Sequence, residues 1–191
     1  MNDAPPTVAD DVLVRAVAAG DVAAVGLLYD RHAGLLLALA FRIVRDRAES
    51  EDVVHDAFVA LSDRAGRYSS ERGSVVAWLV TLTRNLAIDR TRRRDRRSAI
   101  AHDVLAHEPP PSARDAETLV ALEGERVRVE RALATLPAAQ RRTLETAFFE
   151  GLSYPEIAER EKLPLGTIKS RAARALAALR SALATEGLRP G

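Results

Sequence analysis

Residues 152–180 read LSYPEIAEREKLPLGTIKSRAARALAALR. Ser153-Tyr-Pro-Glu156 is a capping box, S-x-x-E, in which a serine and a glutamate three residues later satisfy backbone donors at a helix start. The short helix PEIAEREKL follows, then the turn LPLG, and Thr167 is placed to cap a longer helix, IKSRAARALAALRSALAT. Ile157, Ala158, Leu163, Ile168 and Ala172 fall where two such helices share a core. This is the layout of a helix-turn-helix. The second helix carries Lys169, Arg171, Arg174 and Arg180, with no acidic residue between 167 and 185. Such a helix suits a DNA major groove, and Thr167 and Ser170 add hydroxyls within reach of phosphates. An ordinary helical hairpin with a solvated basic face is the competing reading.

Working upstream, Leu122, Val129, Leu133 and Leu136 mark a helix stopped by Pro137, which can open the next one, PAAQRRTLETAFFE, ending at Gly151. Over 98–116 the helical period stops, and three prolines at 109–111 cannot continue a helix. That segment reads as a flexible linker. Before it, residues 10–97 carry four helical patterns. One runs from Asp10 and Asp11 to Gly20, one is capped by Asp21, and one starts near Asp46 with Val54, Phe58 and Leu61 on its core face. The fourth carries Val75, Leu79, Leu82 and Leu86 at spacings of 4, 3 and 4. Between the third and fourth, RAGRYSSERGS (64–74) reads as a loop. The expected fold class is all-α: a loose, disordered tail over 1–9, one small helical domain over 10–97, the linker, and a second domain over 117–185 built on the helix-turn-helix.

The chain has 191 residues, 47% of them hydrophobic, and a net charge of only +1. Residues 84–97, RNLAIDRTRRRDRR, hold seven arginines and two aspartates, a local +5 that leaves −4 for the rest (1 − 5 = −4). Cations at a helix end complement the macrodipole, but seven exceed what that effect needs. Segregation of this kind points to nucleic acid. In the helix before, Glu49, Asp52 and Asp56 at spacings of 3 and 4 form a carboxylate stripe, with His55 about 100° off that face. The stripe is either a solvated face or a dock for a basic protein. Trp78 sits beside the core stripe and reads as buried, whereas Tyr68, in the loop, is a stacking candidate.

The exclusions are equally definite. Without cysteine there are no disulfides, thiolate metal sites or thiol catalysis. Four histidines at 32, 55, 102 and 107, two of them in the linker, make no ligand or catalytic constellation, so neither an enzyme nor a cofactor or metal site is expected. The start, MNDAPPTVADD, is not a secretory signal, and LLLALAF at 35–41 is too short to span a bilayer. A soluble, cytoplasmic protein is expected.

Three runs taken together, LYDRHAGLLLALAFRIVRDRAESEDVVHDAFVAL, GSVVAWLVTLTRNLAIDRTRRR and LPAAQRRTLETAFFEGLSYPEIAEREKLPLGTIKSRAARALAALR, resemble bacterial RNA polymerase sigma factors of the extracytoplasmic-function (ECF) group, in that family's order and spacing. The resemblance implies a protein that binds core polymerase, recognises −35 and −10 promoter elements and melts DNA. It makes 10–97 region two and 117–185 region four. It implies that Glu49, Asp52, His55 and Asp56 dock on the β′ clamp helices, His55 standing where the family usually has glutamine. It further implies that loop 66–74, with Tyr68, captures an unstacked −10 base, and that Arg84, Asn85, Asp89, Arg92 and Arg93 meet that element. Thr167, Lys169, Ser170, Arg171 and Arg174 would read the −35 element beside the β flap, and an anti-sigma protein would hold the chain inactive. A conventional helix-turn-helix regulator with a helical sensor domain is the alternative; it leaves the arginine cluster beside an acidic helix unexplained.

Overall fold

The computed structural model describes residues 8–98 and 129–185, and all regular structure among them is helical. They form two compact units, one from each stretch. The expected linker, most of the tail and the first part of the expected helix from Glu117 lie outside the described residues.

In the N-terminal unit, α1 (Asp10–Ala18) begins where the Ala9 carbonyl accepts the Val12 and Leu13 amides, with Asp10 and Asp11 at its positive end. It closes at Gly20, whose φ of 93° is costly for residues with a Cβ. α2 (Val22–Val44) is capped by Asp21, whose Oδ1 accepts the Ala23 amide at 2.9 Å. Its buried residues Ala24, Leu28, His32, Leu36, Ala40 and Val44 recur at a spacing of four and face α1, α3 and α4. By length and composition alone α2 is long and apolar enough to cross a membrane, with an 18-residue stretch of mean hydropathy 1.4. The seven-residue run considered in the sequence understated it. However, Asp30, Arg31 and His32 stand mid-helix, where a bilayer would penalise them. α2 is the core helix of this unit.

α3 (Arg47–Arg64) is capped by Asp46, whose Oδ1 accepts the Glu49 amide at 2.8 Å. It buries Ser50, Val53, Val54, Ala57, Phe58 and Leu61. Two 3₁₀ turns, Ala65–Arg67 and Ser70–Arg72, build the loop, and Gly73 at φ 132° leads into α4 (Val75–Ser98). The core stripe of α4 is Val75, Leu79, Thr83 and Ala87, with Ile88 beside it. Leu82 and Leu86, expected on that stripe, are half-buried at its margin, because a spacing of four suits the contact with α2.

In the C-terminal unit a helix described over 129–134 (α5) precedes Pro137, which takes the N-cap position of α6 (Ala138–Glu145) rather than its first turn. One π turn, Thr146–Glu150, continues α6 to Gly151 at φ 69°. The capping box forms: the Glu156 carboxylate accepts both the amide and the hydroxyl of Ser153 at 2.6 Å, opening α7 (Tyr154–Glu161). α8 (Leu165–Thr185) packs on α6 and α7. Ile157, Ile168 and Ala172 are fully buried between them, with Ala158 and the half-buried Leu163 alongside. Replacing Ser153 by Ala is expected to destabilise this unit by about 1 kcal/mol, the usual worth of such a cap, and a urea melt followed by circular dichroism measures it.

The chain reverses differently from the sequence expectation. Lys162 takes the left-handed conformation at φ 53°, and α8 starts two residues before Thr167. Pro164 supplies the capping carbonyl, which accepts the Thr167 amide at 2.9 Å. Thr167 therefore lies inside the first turn and caps nothing.

Candidate nucleic-acid and protein interface

α4 sorts its arginines onto two faces. Arg90 turns to α3, where its Nη2 lies 2.7 Å from Asp52 Oδ2 and its Nε 3.5 Å from Glu49 Oε2. Arg94 approaches Glu49 at 3.9 Å and donates to the Val44 carbonyl at 3.0 Å. Both are half-buried and fasten α4 to its neighbours. The opposite face runs through Thr81, Asn85, Asp89, Arg92 and Arg96, all exposed, at helical spacing. Arg84, half-buried at its edge, donates to Asn85 Oδ1 at 3.1 Å. Burial first, and then the charge of Arg92, lower the Arg84 pKa below the ordinary guanidinium value. Like charges gathered in this way gain from a polyanion that lies across them.

The same face leads at its N-terminal end into a cavity of about 400 Å³. Tyr68 and Trp78 stack there with ring centroids 5.5 Å apart and 24° between planes. Arg64, Arg67 and Arg72 stand among its lining residues, together with Thr81 of the exposed stripe. Trp78, expected in the core, is only half-buried and is a wall of this pocket; helical spacing places it beside Leu79 but turned away from α2. Tyr68 donates to the Gly73 carbonyl at 3.2 Å. Burial, then the charges of Asp11 and Asp10, push its phenol pKa up, so the ring is neutral at physiological pH. Two aromatic rings among guanidinium groups form a surface on which a base can stack while its phosphates are held.

On α3 the carboxylates expected to act together are divided. Asp52, with its side chain 64% exposed, and Glu49, at 32%, both lean on α4. His55 and Asp56 are exposed, and Asp56 makes no ion pair among the described residues. In the C-terminal unit, Lys169 and Arg174 are exposed on α8, and Arg174 donates to Ser170 Oγ at 3.2 Å. Ser170 itself donates to the Thr167 carbonyl at 3.0 Å. Arg171 folds back onto Glu161 of α7 at 3.1 Å and helps hold the two helices together. Arg160 is paired with Glu150, whose hydrogen bond raises its pKa, and donates to Thr146 at 3.0 Å, latching α7 to the π turn. Among the described residues no cluster of His, Asp and Glu has the arrangement of a metal site.

Sequence reasoning placed Trp78 in the core and passed over the loop arginines and the bridging role of Arg90. The arginines were visible in RAGRYSSERGS, but Arg90 lies 38 residues from Asp52 and carries no local signal.

Residues 28–97 match the family profile for sigma-70 region 2, and residues 126–179 match that for sigma-70 region 4. The chain belongs to the ECF sigma factors of bacterial RNA polymerase. It is 36% identical over 162 residues to the ECF RNA polymerase sigma factor SigK of Mycobacterium sp. (strain KMS), covering 84% of this chain and 83% of that protein. With SigK of Mycobacterium tuberculosis (strain ATCC 25177 / H37Ra) identity is 33% over 184 residues, 94% and 97% of the two chains. Among solved structures it is similar to Rhodobacter sphaeroides SigE in complex with the anti-sigma ChrR, at 32% identity, a TM-score of 0.45, and coverage of 90% of this chain and 97% of that one. Both units of this sigma factor carry a family match, and the part of α4 that bears the pocket and the exposed stripe lies within region 2. The helix α1 lies outside that match.

Proposed function

We propose that this sigma factor directs promoter-specific initiation by holding core RNA polymerase through α3 and promoter DNA through α4 and α8. The observation that carries the reading is the continuity of one face of α4. A stacking pocket at its N-terminal end, lined by Tyr68 and Trp78, runs into Asn85, Asp89 and Arg92 without interruption by the acidic residues of α3. Opening a duplex requires a grip on backbone phosphates beside a place for an unpaired base, and this face supplies both. Arg84, Arg92 and Arg93 are the grip, while Asn85 and Asp89 lie closest to the bases of the −10 element. In the C-terminal unit Lys169 and Arg174 meet the −35 element directly, Thr167 and Ser170 lie at the N-terminal end of the reading helix, and Arg171 positions that helix through Glu161. His55 and Asp56 present the free part of the polymerase-docking face, and Glu49 and Asp52 couple it to α4. The protein performs no catalysis of its own, acts in the cytoplasm with the polymerase, and is held inactive by an anti-sigma protein.

Co-purification with core polymerase, followed by transcription from a promoter identified by transcript mapping after overexpression, tests this directly. A chain that never joins core polymerase would refute it. Arg92→Ala with Arg93→Ala is expected to lower the magnitude of the log–log salt slope of promoter binding by about 2, near 0.9 for each duplex phosphate no longer neutralised. An unaltered slope would mean that these arginines serve only the helix end.

A further inference from the structure

The loop that carries Tyr68 has little to hold it in its own sequence. It contains two single 3₁₀ turns, and Gly66 and Gly73 leave its backbone permissive. Its support comes from α1, about fifty positions earlier. α1 packs on the turn Ala65–Arg67, and Ala65 is buried at that contact. α1 in turn buries Leu13, Val14 and Val17 against the core and is pinned at its first residue. Asp10 Oδ1 lies 2.7 Å from Arg31 Nη1, and Asp10 Oδ2 lies 2.7 Å from Nε2 of His32, a buried residue of the α2 core stripe. Arg31 also donates to the Val8 carbonyl at 2.6 Å, so Val8, expected within a loose tail, is held in place.

We propose that Asp10 is a positioning residue for the Tyr68–Trp78 pocket: held by Arg31 and His32, it seats α1 behind the turn Ala65–Arg67 and so fixes the Tyr68 ring opposite Trp78. The proposal rests on reading that pocket as the site that captures an unpaired base. A half-buried carboxylate shared by two basic side chains gives a defined seat to a nine-residue helix, which is too short to persist without tertiary contacts. The packing of α1 on the turn Ala65–Arg67 brings its start near the pocket wall, and burial followed by the charges of Asp11 and Asp10 raises the Tyr68 phenol pKa. This brace ties α1 to the middle of α2, so promoter opening depends on a helix, α1, outside the residues that match region 2.

Trp78 is the chain's single tryptophan and reports on the pocket without a label. In the full-length chain, Asp10→Ala is expected to raise acrylamide quenching of Trp78 while far-UV circular dichroism is retained. Bound to core polymerase, the same variant is expected to capture a single-stranded −10 oligonucleotide about tenfold more weakly, the worth of one charge-assisted hydrogen bond. Core affinity itself should be unchanged, and Asp10→Glu should restore both readouts in part. Unchanged quenching in a folded Asp10→Ala chain overturns the proposal, and so does a parallel loss of core affinity, which marks general loosening. Should Asp10→Ala not fold, Arg31→Gln leaves Asp10 with His32 and is expected to give a smaller shift of the same sign; none would again overturn it. If the wild-type holoenzyme captures no single strand, the pocket reading fails, and the brace is then judged by Trp78 quenching alone.

Discussion

A chain carrying Tyr68→Ala and Trp78→Ala is expected to dock on core polymerase normally and to fail at opening the promoter. Base stacking on an aromatic ring is worth about 1–3 kcal/mol per base, so loss of the platform should weaken capture of an unpaired −10 base by about 5- to 150-fold. Both rings are half-buried and face a cavity rather than the α2 core, so their truncation leaves Leu79, Thr83 and Ala87 packed. A loss of global stability comparable to that of a core substitution is therefore not expected. Permanganate footprinting of unpaired thymines in the holoenzyme–promoter complex measures the effect. Tyr68→Phe separates ring from hydroxyl: it keeps the stacking surface and loses the bond to the Gly73 carbonyl, so it should retain most of the opening. Equal footprints from wild type and the double variant would remove the pocket from the mechanism.

What the sequence disclosed and what it hid divide along a physical line. Asp21, Asp46 and the Ser153–Glu156 pair were legible because a cap is a local event, settled within three or four residues. The buried residues Val54, Phe58, Leu61, Ile157 and Ile168 followed from periodicity for the same reason. Thr167 was misjudged because a lysine, not a glycine, adopts the left-handed turn, and nothing in the residue type announces that conformation. Trp78 was misjudged because one residue along a helix is a rotation of about 100°, enough to pass from core to pocket wall. The arginine cluster was visible as charge, but its division was not. Whether an arginine points to solvent, as Arg92 and Arg96 do, or to Glu49 depends on how α3 and α4 cross, and that is a tertiary fact.

That division shapes the docking test. Asp52→Asn with Asp56→Lys is expected to weaken binding to core polymerase by about 2 kcal/mol, roughly thirtyfold, if α3 meets a basic surface. Reversing Asp52 as well would be a poorer experiment, because a new cation would face Arg90 at the place where 2.7 Å now separates the pair. Neutralising it avoids that repulsion. The Asp52 side chain is mostly exposed, so its ion pair is worth at most about 1 kcal/mol, and the thermal transition should fall by only a few degrees. Arg90 keeps Glu49 as a partner in the variant, which preserves the junction of α3 and α4. Competition against a labelled sigma factor for core polymerase gives the affinity, and calorimetry on the free chain gives the fold control. A folded variant with wild-type affinity would show that the acidic face of α3 is solvated surface, and the docking role would then have to lie elsewhere on the N-terminal unit.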